Sequence, residues 1–164
     1  MADQIGVMGS RPVVEMLSAG ECRAYLAQVA IGRVAVTVGA LPVIFTVPFV
    51  LDGDDLLIRV AQLSVLCRAL TGSVVAFSAD DFEESEEDSW SVLVRGVAEA
   101  VGDEVLAASL RALPLRSCSE APERDCFVRL PLTQLSGTRA HWPDPPSARP
   151  GAKAPVGADY RVPA

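Results

Sequence analysis

The 164-residue sequence predicts a mainly β protein, a small antiparallel barrel with two or three peripheral helices. Three observations predict it. Short runs rich in Val, Ile, Leu and Phe follow one another at hairpin spacing, divided by Gly- and Asp-containing turns. Helical periodicity is confined to three brief stretches. The longest run, WSVLVRGVAEAV from Trp90 to Val101, is largely apolar on both faces, with Trp90, Val92 and Val94 on one side and Leu93 and Val97 among those on the other. Such a strand belongs in a barrel wall or between a barrel and a partner, not on a wet sheet surface. Gly96 within it leaves room for a bulge, a corner or a close backbone approach.

In chain order, residues 1–16 lack periodicity and are expected to be loose, and residues 17–142 form the folded domain. Ser18-Ala-Gly-Glu21 has the spacing of a capping box, Leu17 can staple onto Cys22, and Cys22, Tyr25, Leu26 and Val29 recur at helical spacing, with Gly32 marking the end of that unit. Strands are expected at 34–38, 43–51 and 56–60, with turns at 39–42 and at Asp52-Gly-Asp-Asp55. A short helix follows at 64–70, then a strand at 74–78, an acidic loop and the long strand. The segment 103–113 reads as a helix with Val105, Leu106 and Leu110 on one face and Pro114 as its stop. A strand at 126–130 comes next, and 137–142 is a further candidate. Residues 143–164 hold half of the 12 prolines and cannot bury enough to order themselves.

Composition excludes several functions. Half the residues are hydrophobic and 5% aromatic, so Val, Leu and Ala fill the core. No apolar run approaches the roughly 20 residues of a membrane span, and the start lacks a basic, then apolar, signal. A soluble cytoplasmic protein is implied. Cys22, Cys67, Cys118 and Cys126 form no C-x-x-C pair and His141 is the single histidine, which argues against zinc and leaves buried or half-buried thiols as the reading. The net charge is −7, and seven acids fall in DDFEESEED, residues 80–88, read as a solvated loop because its spacing is not that of an EF-hand. A basic patch for nucleic acid is absent.

The order of motifs resembles the pyridoxamine 5'-phosphate oxidase-like family of FMN-binding split barrels, especially its small actinobacterial members. The matching stretches are IGRVAV (31–36), LPVIFTVPFVLDGDDLLIRV (41–60), VVAFSADDFE (74–83), WSVLVRGVAEAV (90–101) and VRLPLTQLSGTR (128–139), and the VAF-x-x-DDF step before WSVLVRG is the most specific. The resemblance implies a six-stranded split barrel, a homodimer, and two flavin sites at the subunit interface. It places the flavin phosphate against the third strand and the helix after it, around Arg59 and Ser64.

The chain departs from the family's pattern at that site. Val65 stands where relatives commonly carry lysine, Val60 where threonine is frequent, and Pro48 where asparagine is frequent; Leu63 replaces a glycine. Burying a phosphate without cations or amide donors costs several kcal/mol. Arg59, and Arg68 a turn beyond Ser64, remain as cations, and the helix start offers amides. The resulting cofactor-binding set is Val47, Pro48, Arg59, Val60, Ser64, Val65, Arg68 and Trp90, each with an ordinary structural role as alternative. Arg59 can serve as an ion-pair partner, Ser64 as a helix cap, Arg68 as a solvated residue and Trp90 as core or interface. Arg95 is expected to pair with a carboxylate across the interface.

Two functions follow. One is a flavin- or deazaflavin-dependent oxidoreductase, using FMN or F420, in which the cofactor does the hydride chemistry and no side-chain nucleophile is required. The other is a split-barrel dimer that has lost flavin and acts as a binding or regulatory module, favoured by the apolar residues at 60, 63 and 65. A haem carrier is a poor third, with His141 its sole candidate ligand.

Overall fold

A computed structural model describes residues 12–82, 88–117 and 124–141. Most of the segment read as a loose start, the Pro-rich tail, Cys118 and the middle of the acidic run lie outside it.

The elements are β1 (Val13–Met16), α1 (Ala19–Leu26), β2 (Ile31–Val38), β3 (Leu41–Asp52), β4 (Asp55–Ala61), α2 (Val65–Leu70), β5 (Ser73–Asp81), β6 (Asp88–Ala100), α3 (Glu104–Leu110), β7 (Asp125–Pro131) and β8 (Gln134–His141). Strands β6, β5, β2, β3, β4 and β7 pair in that order, and a β6–β7 contact closes them into a six-stranded antiparallel barrel. β8 and then β1 extend from β6.

β6 makes this closure possible by changing partner. Its residues Asp88–Arg95 pair with β8, while Glu99 and Ala100 pair with β7. Gly96 sits at the changeover, where an added Cβ would lie 3.3 Å from Leu130. Of the bulge, corner or close approach open to that glycine, it sits at a close approach, made by the Leu130 side chain of β7. Val92, Val94 and Ala98 point inward and are buried, whereas Ser91, Arg95 and Val97 are exposed in the single chain.

The core is aliphatic with two rings at its centre: Phe49 meets Phe77 edge-on, with centroids 4.8 Å apart. Phe77 explains Gly32. A Cβ there would fall 2.2 Å from the Phe77 ring, so this glycine lies inside β2 under an aromatic side chain. The helix it was expected to end stops earlier, at Leu26 with Ala27 as its C-cap. The capping box is as the spacing implies: Ser18 N donates to Glu21 Oε2 at 2.8 Å, and Glu21 N donates to Ser18 Oγ at 3.3 Å. The Ser18 hydroxyl, which donates to Glu21 Oε2 at 2.6 Å, and then the Ser18 backbone N–H hold the Glu21 carboxyl below its ordinary pKa.

Three further expectations are corrected. Val13–Met16, part of the segment read as loose, is a strand registered on β8 from Val13↔His141 to Met16↔Thr138; all four residues are exposed, so no alternation betrays it. The acidic run is not wholly a loop. Asp80 and Asp81 end β5 and Asp88 begins β6, with Asp80 paired to Arg33 and Asp88 to both Arg139 and His141. His141 ends β8, where the further strand at 137–142 was expected. On α3, only Leu110 is buried; Val105 and Leu106 face outward.

Candidate functional site

The register of β3 and β4 creates the site. These strands pair only from Phe49↔Ile58 to Asp52↔Asp55, while Leu41–Pro48 of β3 stay on β2 and β4 stays on β7 over its whole length. The next rung would set Pro48 opposite Arg59. Phe49 N donates to Ala30 O on the β2 side, so the alternating pattern of an antiparallel ladder requires residue 48 to donate towards β4. Proline has no amide hydrogen, and the ladder stops there.

Beyond that point the two strands diverge around a cleft of about 270 Å³. Its lining is Phe45 to Pro48 from β3, Arg59 to Ala61 from β4, and Ser64, Val65 and Leu66 where α2 begins. Six of the eight residues expected to bind cofactor, Val47, Pro48, Arg59, Val60, Ser64 and Val65, meet at this seam. Val47 and Val60 are buried in its floor, and Val65 is 47% exposed at its mouth.

Arg59 is the single charged residue among the described lining residues, and it is engaged from behind. Its Nε donates to Asp125 Oδ2 at 2.9 Å, with side-chain exposures of 14% and 1%, and its guanidinium lies 5.6 Å from the centroid of Phe127. Ser117 Oγ donates to the same carboxylate oxygen, while Asp125 Oδ1 is buried without a hydrogen-bond partner. Ser64 is the N-cap of α2, accepting from Cys67 N at 3.0 Å. Thr46 adds a second hydroxyl to the lining.

Arg68 and Trp90 do not reach the cleft. Arg68 donates to Leu63 O at 2.9 Å and is not part of the lining. Trp90 stacks on Tyr25 of α1 at 4.9 Å between centroids and borders a separate hollow of about 170 Å³ with Asp80, Asp81 and Thr138. Two carboxylates make that hollow unfavourable for a phosphate. Sequence reasoning missed Phe45, Thr46, Ala61 and Leu66, which follow from the strand and helix positions of the residues it found, and Asp125, which no local pattern marks. Among the described residues no group of three or more His, Cys, Asp or Glu could hold a metal ion, and no helix is long and apolar enough to cross a membrane.

A closed six-stranded antiparallel barrel, opened at one seam by a lateral cleft, defines the class: a split barrel. The family model for pyridoxamine 5'-phosphate oxidase matches residues 18–139, nearly the whole of that barrel, and the chain belongs to the pyridoxamine 5'-phosphate oxidase-like family. Uncharacterized protein Rv0080 of Mycobacterium tuberculosis is 39% identical over 99 residues, which span 57% of this chain and 64% of that protein's length. The structure of an FAD binding protein from Mycobacterium smegmatis is 36% identical, with a TM-score of 0.66, and the match covers 79% of this chain and 98% of that one. A conserved Corynebacterium diphtheriae protein of unknown function, DIP1874, is 28% identical with a TM-score of 0.64, covering 78% of this chain and 98% of its own.

Proposed function

We propose that the seam cleft binds a flavin nucleotide and that the protein is a cytoplasmic flavin- or deazaflavin-dependent oxidoreductase working as a homodimer. One observation supports this above all: six of the eight residues singled out for flavin in the sequence line one cleft. The FAD-binding relative at 36% identity supports a flavin of some kind; FMN, FAD and F420 share the phosphate that the site would hold.

The residues fit such a group unevenly. Phe45, Val47, Val60 and Leu66 offer apolar walls for a planar ring, and Thr46 and Ser64 offer hydroxyls. The phosphate end has one cation, Arg59, which shares its charge with Asp125. A ligand of this size ordinarily occupies about 300 to 1,000 Å³, so a cleft of about 270 Å³ encloses part of a flavin and a second subunit would supply the rest. When bound, the flavin supplies the hydride and electron chemistry on its ring. The chain's own part is to bind the nucleotide, orient it along β3 and keep water from its buried face.

The test is the absorption spectrum of the purified chain, before and after addition of FMN, FAD or F420. A flavin band at near-stoichiometric occupancy with any of them is expected. Absence of binding by all three would leave the second reading, a split-barrel binding or regulatory module without flavin. The Arg59–Asp125 pair favours that alternative, because the carboxylate already neutralises the cation a phosphate would need.

A further inference from the structure

The thiols of Cys67 and Cys126 meet although 59 positions separate them in the chain. Cys67 is a buried residue of α2, and Cys126 is half-buried on β7 opposite Val60 of β4. Neither lines the cleft, but each is attached to something that does: Cys67 N bonds to Ser64 Oγ, and Cys126 is the rung partner of Val60. Their sulfur atoms are 2.6 Å apart. A disulfide bond is about 2.05 Å long, so closing it requires a movement of about half an ångström. Cys22 is buried elsewhere, against Gly137 of β8, and takes no part.

The two sulfurs have unequal surroundings. Burial first, and then the Cys67 thiol beside it, push Cys126 up to about 12. At neutral pH Cys126 therefore keeps its proton and can donate it to the Cys67 sulfur beside it.

We propose that Cys67 and Cys126 are a reversible dithiol–disulfide couple, closed by a peroxide and opened by small thiols, that fastens α2 to β7 behind the cleft. One of the two thiols, its proton lost to solvent, attacks one oxygen of hydrogen peroxide as the thiolate. The O–O bond breaks, that sulfur becomes a sulfenic acid, and the departing hydroxide takes up a proton as water. The other sulfur then attacks the sulfenic sulfur; the S–S bond forms, the S–O bond breaks, and the leaving hydroxide departs with the second thiol's proton as a second water. Two thiols and one peroxide thus give one disulfide and two waters, with two electrons passing from sulfur to oxygen. The couple stands whether or not the cleft takes flavin.

The test uses the full chain, treated with hydrogen peroxide, denatured, alkylated and mapped by mass spectrometry. Two of the four thiols should escape alkylation, a cross-linked peptide should join Cys67 to Cys126, and dithiothreitol should reverse both. Cys67→Ser and Cys126→Ser should each yield no cross-linked peptide, while Cys118→Ser should cross-link like the wild type. The oxidised chain should melt on the order of 10 °C higher than the reduced one, because the bond closes a long loop. Four free thiols after peroxide, a bond through Cys22 or Cys118 instead, or sulfinic acid at Cys67 or Cys126 without a cross-link would each overturn the proposal. If the serine variants do not fold, the wild-type cross-link map decides alone.

Discussion

Asp125 is the residue on which the candidate site turns. It holds Arg59 at 2.9 Å from a position with 1% side-chain exposure, and its second oxygen has no hydrogen-bond partner. Asp125→Asn keeps the shape and removes the charge, so it should release Arg59 towards a phosphate and raise FMN affinity. It should also cost about 3 kcal/mol of stability, as expected when one partner of a buried ion pair is lost. Titration and urea melts on the same variant check both. Cys126 predicts the alkaline behaviour of the fold. Its folded pKa of about 12 stands above the ordinary 9.0, so the folded state holds that proton longer than the unfolded chain does. Stability is then intact below about pH 9 and falls as pH rises towards 12. Cys126→Ala should lack that part of the slope in melts run from pH 8 to 11. The sequence showed Arg59 and both cysteines as residues but not as partners. Their contacts, Asp125 for Arg59 and each cysteine for the other, lie 66 and 59 positions away, where no spacing rule reaches.

Local chemistry, by contrast, was readable wherever an element is decided by its own residues. The Ser18–Glu21 box, the Ser64 cap and the hairpin turns stand where the spacing put them. Gly32 was misread because its reason is a ring from β5, not a turn. Gly32→Ala would set a methyl against Phe77 and 2.9 Å from Ser78 O, so it should lose about 1 to 3 kcal/mol by overpacking, visible as a lower melting temperature. The β2–β3 turn carries the opposite defect. Gly39 and Ala40 both have positive φ, 56° and 67°, and alanine is strained there. Ala40→Gly should gain about 1 kcal/mol and raise the melting point by a few degrees. β1 was missed because a fully exposed four-residue edge strand carries no periodic signal.

For the whole molecule, the barrel and its seam were legible and the assembly was not. Strands β6, β5 and β3 expose Val97, Val74 and Ile44 on the outer face of the sheet, with Val74 and Val97 directly paired. An isologous contact can cover that face in both subunits at once. Sedimentation at micromolar concentration should therefore give a dimer; a monomer there would remove the case for a flavin shared between subunits. The claim that the β3–β4 seam holds a flavin phosphate is tested most directly at Val65, which lines the cleft from its mouth and is exposed enough to be exchanged without disturbing the core. FMN and riboflavin are titrated against wild type, Val65→Lys and Val65→Glu. A charge-assisted contact is worth about 1.5 to 3 kcal/mol, so lysine should tighten FMN by roughly tenfold to a hundredfold, and glutamate should weaken it, while riboflavin, lacking the phosphate, hardly changes in either variant. FMN affinities indifferent to both charges, or shifts shared equally by riboflavin, would contradict the assignment of the phosphate to this seam.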